Sequence, residues 1–415
     1  MLKESQQAFN LSNPQRLFSR KNIRKFWLNL HLMIALTVGL VFVILGLTGS
    51  CNVFYYELGE LGLPALPGAS QAKPRSLDEI MQTVKAAHPQ RTGGWFMVLP
   101  GYQSDYVWVE YPKPEETKHE LFAPLEILVD PYSGKIVSEH FWGRTLTSLI
   151  YELHADFLAG KIGVEIGKVG ASVVCFFGIF LFVSCLSGLY LWWPRGGKFK
   201  NALTIKPHSS PQRFHFDLHK ITGFYGSALL LVIAFTGFAF SYNDYIKPLV
   251  NVFSAVKADH LKNPTLKSTV ADIAEPISIA QAAVIADQVF PGAELRGIGT
   301  PDSKDGVYMV AKRQAGEANR KRPRSKVWID QYSGKVLAVQ DPQKFTAGET
   351  FLNLLWPLHD GQALGLPGRI LWCIAGFAPL VLYITGIMRW LQKRKAKQLK
   401  QSKSKRPMPA TGEIR

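Results

Sequence analysis

Four histidines stand at matched places in this chain. An imidazole can ligate a metal, carry a proton or simply fill a polar gap. His31 lies in "LNLHLMIALTVGLVFVILGLTG", which begins at Leu28. His219 lies in "FDLHKITGFYGSALLLVIAFTG", which begins at Phe216. Laid together without a gap, His31 meets His219, and Thr48-Gly49 meets Thr236-Gly237. His154, in "LIYELHADFLAGKIG", and His359, in "LLWPLHDGQALGLPGRILW", form a second matched set. Each follows a leucine, then leads through an acidic step into a glycine-rich run and another apolar stretch.

Imidazoles paired at two levels suggest two b-type haems. Haem iron accepts an axial imidazole on each side, and a filled iron favours electron transfer over oxygen binding. The expected pairs are His31 with His219 and His154 with His359. A single membrane histidine often does no more than bond to a neighbouring helix or line a polar cavity. Two symmetry-matched pairs fit that reading less well. His215 is a competing inner ligand, four residues before His219 and on the same helical face. The repeat sets Trp27 opposite His215, which favours His219 without excluding His215. Lys168 and Arg369 lie near the starts of two apolar blocks and could meet haem propionates, although basic residues at helix ends snorkel in any case. His88, His119, His208 and His260 lie in polar stretches and read as solvated. His140, in "SEHFWGR", reads as an interfacial aromatic anchor or as the lining of an outer site.

The elements that must position these rings are apolar blocks at 26–51, 166–193, 219–243 and 369–390. Each is about 20 residues of nearly uncharged sequence, the length that crosses a hydrocarbon core of ~30 Å. The step from His31 to Thr48 is roughly 25 Å of such a helix. The first block is followed by "CNVFYYELGE", not by a small-residue cleavage site, so it reads as a span and not as a removable signal. The expected architecture is a four-helix membrane bundle.

The chain has 415 residues and a formal net charge of +17. Its cations crowd at Arg16, Arg20, Lys21, Arg24 and Lys25, then at Arg195, Lys198, Lys200, Lys206 and Arg213, then in "QKRKAKQLKQSKSKR". By the positive-inside rule, the segments 1–25, 194–218 and 391–415 are cytoplasmic, and the connections 52–165 and 244–368 are external. The basic tail reads as an orientation signal attracted to anionic membrane lipid, with no nucleic-acid partner. Cys51, Cys175, Cys185 and Cys373 show no metal or redox spacing and read as packing residues.

The external connections repeat too. "ILVDPYSGKIV" (127–137) matches "VWIDQYSGKVL" (327–337), and a helical stretch precedes each. Each copy predicts a helix lying on a short antiparallel sheet, a small α+β unit. An even number of spans per half makes the halves parallel repeats about an axis along the membrane normal. The apolar stripes Leu146, Leu149, Ile150, Leu153 and Phe351, Leu354, Leu355, Leu358 predict an interfacial helix before each outer histidine. Pro357 weakens the second of these. No nucleotide- or flavin-binding fingerprint, P-loop or zinc-protease motif occurs. Reducing equivalents must therefore come from another protein or a membrane quinol.

With "LHDGQALGLPGR", "SGLYLWWPR", "FHFDLHKITGFYG" and the doubled D-x-YSGK, the chain resembles the PepSY-associated transmembrane proteins over about residues 20–395. That family includes bacterial inner-membrane reductases linked to siderophore iron uptake. The resemblance implies two small periplasmic PepSY-like α+β domains, haem in the membrane, and reduction of a ferric siderophore at the periplasmic face. The residues matching the family's motifs are His31, His154, His219 and His359. The alternative is a non-enzymatic membrane-anchored sensor whose external domains bind a peptide or protease. On the charge distribution, reporter fusions after the first and third blocks should read as external, and those after the second and fourth as cytoplasmic. A cytoplasmic readout around Asp130 would overturn this topology.

Overall fold

The computed structural model describes residues 19–66, 73–101, 104–197, 199–257, 265–269 and 275–404. Arg16, Lys198, His260 and the tail beyond 404 lie outside the described residues. The chain begins with α1 (Arg20–Val53) and a one-turn helix at Tyr55–Gly59, followed by α2 (Leu77–Ala87). Strands β1 (Phe96–Val98), β2 (Val107–Tyr111), β3 (Leu125–Val129) and β4 (Ile136–Phe141) come next. Then come α3 (Leu146–Asp156), α4 (Val164–Trp192), α5 (Pro211–Ser241), α6 (Asn243–Phe253) and α7 (Ile279–Val289). The order is repeated by β5 (Glu294–Gly299), β6 (Val307–Arg313), β7 (Ser325–Asp330), β8 (Val336–Gln340) and α8 (Ala347–His359). The last elements are α9 (Gly365–Gly376) and α10 (Ala378–Ser404). Among the described residues, four helical stretches are long and apolar enough to cross a membrane, and the protein is a multi-pass membrane protein. The fourth is α9 with α10. Pro379 has no N–H to offer the Ala375 carbonyl, and helical bonding is interrupted there.

The described residues form two compact units. One takes the chain up to Val43, Phe180–Leu231 and the residues from Ala378 onward. The other takes Ile44–Ile179 and Val232–Phe377.

The second unit holds the sheet. Two separate small sheets are expected from the sequence, but one eight-stranded antiparallel sheet forms, in the order β4-β3-β2-β1-β5-β6-β7-β8. β1 and β5 join the halves, with Met97 opposite Ile298. Each would otherwise be an open edge of unpaired backbone groups, and pairing them removes both edges. Helices α2 and α7 cover one face. Ile80, Met81 and Val84 on α2 and Ile279, Ala282 and Ala286 on α7 bury against Met97, Ile127, Ile298 and Ile329. The opposite face carries Trp108 and Leu128, packed with Tyr55 and Tyr106. With both faces covered, β3 is buried throughout and reads as an unbroken apolar run around Glu126.

Both D-x-YSGK turns work alike. Asp130 Oδ1 accepts from Tyr132 N at 2.8 Å, and Asp330 Oδ1 accepts from Tyr332 N at 2.9 Å. Gly134 and Gly334 then take φ of +74° and +68°, a region that favours glycine. Capping boxes at Ser76/Glu79 and Ser278/Gln281 start α2 and α7. Asp78 adds a bond across the pair, accepting from Ile279 N at 2.8 Å and Ala280 N at 3.1 Å.

Two expectations about histidines need correction. His88 is not solvated: it is 6% exposed, with its ring beside Trp95. As the C-terminal cap of α2 it folds back under the helix, and Nε2 lies 3.4 Å from Glu139. His140 is not an interfacial anchor. It sits in β4 directly across from Glu126, with Nε2 3.2 Å from the carboxylate. His119 and His208 are exposed as expected.

Asp78→Ala should remove a carboxylate from the N-terminus of a neighbouring helix. The expected cost is about 1 kcal/mol, read as a lower denaturant midpoint for loss of the sheet. An unchanged midpoint would mean that the cross-helix cap contributes nothing.

Candidate functional site

The acidic step after each outer histidine is a turn device. Asp156 Oδ2 accepts from Gly160 N at 2.9 Å, and Asp360 Oδ1 accepts from Gln362 N at 3.1 Å. Both helices before them are properly started, with capping boxes at Thr145 and Thr346. Pro357 does not break α8. It lies in the last turn, so the helix loses one bond and still reaches His359. Leu352 and Leu355 anchor α8 against Ala239, Ile246 and Val250.

All four histidines are held in the same way. In the first unit, His31 Nδ1 lies 3.1 Å from the Ser184 carbonyl and 3.0 Å from Ser187 Oγ. His219 Nδ1 lies 2.9 Å from Thr385 Oγ1. In the second unit, His154 Nδ1 lies 3.0 Å from Thr48 Oγ1. His359 Nδ1 lies 3.0 Å from the Ile233 carbonyl and 3.3 Å from Thr236 Oγ1. In every case a glycine follows the hydroxyl residue and seats the ring. A Cβ on Gly188, Gly386, Gly49 or Gly237 would stand 3.2, 3.4, 3.0 or 2.8 Å from the corresponding imidazole Cε1. The four clamps read "SCLSG", "LYITG", "LGLTG" and "IAFTG".

The clamp fixes the tautomer. Thr48, Thr236 and Thr385 donate their hydroxyl hydrogens to the carbonyls of Ile44, Val232 and Val381 at 2.7, 2.7 and 2.6 Å. Ser187 donates to Ser184 at 3.0 Å. With its hydrogen committed, each hydroxyl can only accept from the imidazole. The ring therefore donates from Nδ1 and carries its lone pair on Nε2.

The rings of one expected pair meet. The centroids of His154 and His359 lie 6.3 Å apart, tilted by 54°. Burial pushes both rings down to about 4, so both are neutral at pH 7. His215 packs its ring on Phe214, and it is His219 that meets the Thr385 clamp. Lys168 is exposed and pairs with Glu165 at 2.7 Å. Arg369 is buried, donates to the Val53 carbonyl and pairs with Glu57 at 2.6 Å.

A profile of the PepSY-associated TM region matches residues 28–393, most of the chain. The chain belongs to the PepSY-associated transmembrane family. No curated protein matches it.

Which group could a PepSY-associated protein hold between such rings? Among the described residues, no three or more His, Cys, Asp or Glu side chains gather into a metal site. Two imidazoles alone do not complete a zinc or copper shell. They are the donor set that a haem iron would take. The spacing agrees. A metal–nitrogen bond of about 2 Å on each side, with each ring centre about 1 Å behind its nitrogen, asks for roughly 6 Å between centres. The 6.3 Å of the outer pair meets that demand. Neutral rings with Nε2 lone pairs are the ligating form.

Half of the clamp is easily missed in sequence. Thr48-Gly49 and Thr236-Gly237 stand out as a matched pair, but read as helix packing. Their counterparts Ser187-Gly188 and Thr385-Gly386 sit in the second span of each half, and only the recurrence of Ser/Thr-Gly marks them.

In cofactor-free protein, ring nitrogen shifts should show His154 and His359 neutral from pH 8 to pH 5, charging only near 4. Thr236→Val should release Nδ1 of His359 and mix its tautomers. A wild-type midpoint near 6.5 for these two rings would show that they are solvated.

Proposed function

We propose that this protein is a di-haem b electron carrier of the bacterial inner membrane that reduces ferric siderophore iron at the periplasmic face. The observation that carries the reading is the meeting of two tautomer-fixed rings, His154 and His359, together with two identically clamped rings, His31 and His219, at the matched positions of the repeat. When bound, haem supplies one-electron transfer at each centre. The protein's residues hold and orient. The hydroxyl clamps aim each Nε2, the glycines set the ring seats, and the surrounding apolar helices keep water away.

The matched order of elements in the two halves supports a duplication, each half being a span, a PepSY-like α+β domain and a second span. The basic segments support cytoplasmic termini and an external sheet. Haem held by His31 and His219 would take electrons from a quinol or a partner reductase, and haem held by His154 and His359 would pass them to a ferric siderophore. Reduction to Fe(II) lowers the charge on the metal and weakens its hold on hard oxygen donors, which releases the iron for a transporter.

A visible spectrum of the purified protein tests the cofactor. The expected result is a sharp reduced b-type band and two haems per chain. His31→Ala and His219→Ala should each remove the same one haem, and His154→Ala and His359→Ala the other. A colourless preparation would instead favour a sensor that binds a peptide or protease through its external domains. Loss of one shared haem in both His31→Ala and His359→Ala would overturn the pairing.

A further inference from the structure

The loop between β6 and β7 reads "NRKRPRSK" over residues 319–326, five cations in eight residues. Orientation in the membrane does not explain them, because the charge bias places this loop outside. The loop is well held. Arg322 N donates to Asn319 Oδ1 at 3.0 Å, and Arg320 N and Lys321 N donate to Gln362 Oε1 at 3.1 and 2.9 Å. Gln362 Nε2 donates to Asp360 Oδ2 at 2.6 Å, and Asp360 follows His359. Three hydrogen bonds thus run from the loop through Gln362 to Asp360, the residue after the outer histidine.

Among the described residues, three of its cations lack a carboxylate at ion-pair distance. Other cations of this unit have carboxylate partners: Arg91 with Glu116 at 2.9 Å, Arg369 with Glu57 at 2.6 Å. Among the described residues, Lys321, Arg322 and Arg324 have none within ion-pair distance. Lys321 Nζ lies over the rings of Tyr56 and Tyr55 at 4.7 and 5.8 Å. The exposed Arg322 lies over Trp356 at 4.8 Å. Arg324 Nε is buried with no hydrogen-bond partner. Burial pushes Lys321 and Lys326 down to about 8, and Arg322 adds to both shifts by like-charge repulsion. Glu110 is within range of Arg322, but burial and Glu126 push its carboxyl up to about 7. Crowded cations seated on aromatic faces make a site for a delocalised anion.

We propose that Lys321, Arg322 and Arg324, framed by Tyr56 and Trp356, bind the ferric chelate beside the outer histidine pair and select chelates of net negative charge. The proposal rests on the reductase reading above. Chelates built on catecholate or carboxylate oxygens meet the requirement, and neutral or cationic trihydroxamates do not.

Gallium(III) separates binding from reduction, since it matches ferric iron in charge but is not reduced. Full-length protein in zwitterionic nanodiscs would be titrated with a gallium tris-catecholate trianion and with a neutral gallium trihydroxamate. The trianion should bind, more weakly as salt rises, and the trihydroxamate should bind at least about tenfold more weakly. Lys321→Gln and Arg322→Gln should each weaken the trianion about tenfold, with haem content unchanged. Arg75→Gln, at an exposed pair with Glu79, should change nothing. Equal binding of both chelates, or a salt-independent affinity in the wild type, would overturn the site. Haem loss in Arg322→Gln would assign the cations to the cofactor, and displacement of the trianion by anionic nanodisc lipid would assign them to a headgroup. Either would overturn the proposal. Trianion binding to a haem-free protein would instead keep the site and sink the reductase reading.

Discussion

A buried neutral imidazole has one N–H to satisfy and one lone pair left over. Everything around the four histidines follows from that requirement. An unbonded N–H in an apolar interior costs energy, and a partner that could donate would allow the wrong tautomer. A threonine or serine whose own hydrogen goes to its helix carbonyl meets both demands. It can accept and cannot donate. The ring then has one protonation state and one direction. A glycine at the next position is the steric counterpart, because the ring that reaches the hydroxyl occupies the space of that residue's Cβ.

This requirement constrains the helices themselves. Small residues in membrane helices ordinarily serve close helix–helix approach. Gly376 does so here, where a Cβ would collide with Ser50 Oγ. Gly49 and Gly237 lie in equally apolar helices but face a heterocycle instead. Two uses of glycine thus occur among these membrane helices, and substitution tolerance cannot separate them. The neighbour that a Cβ would meet does.

Much of this was legible in the sequence. The spans follow from length and apolarity, the turns at Asp130 and Asp330 from the D-x-YSG pattern, and the matched histidines from the gapless alignment of two stretches. The joining of the halves into one sheet was not legible. Strand periodicity reports which side chains are buried, and β1, at three residues, is too short to report which neighbour it pairs with. His88 and His140 were misread for a related reason. Both lie in polar stretches or at interfaces by composition, yet a carboxylate several residues away in space, Glu139 or Glu126, decides their environment. The basic loop at 319–326 was visible as a string of letters, but the seating of Lys321 and Arg322 on aromatic rings is a property of the fold.

The seam between β1 and β5 has a consequence for the chain as a whole. The two strands run antiparallel, with Met97 opposite Ile298 and Phe96 opposite Gly299. That is the arrangement two copies of one strand adopt when they meet across a dyad. A chain severed between α4 and α5 would leave each piece with an unpaired strand where its partner had been. Each piece would be sticky toward its own twin and toward any other β-edge. The covalent link between the halves therefore acts as a chaperone in cis, guaranteeing that the first partner encountered is the right one.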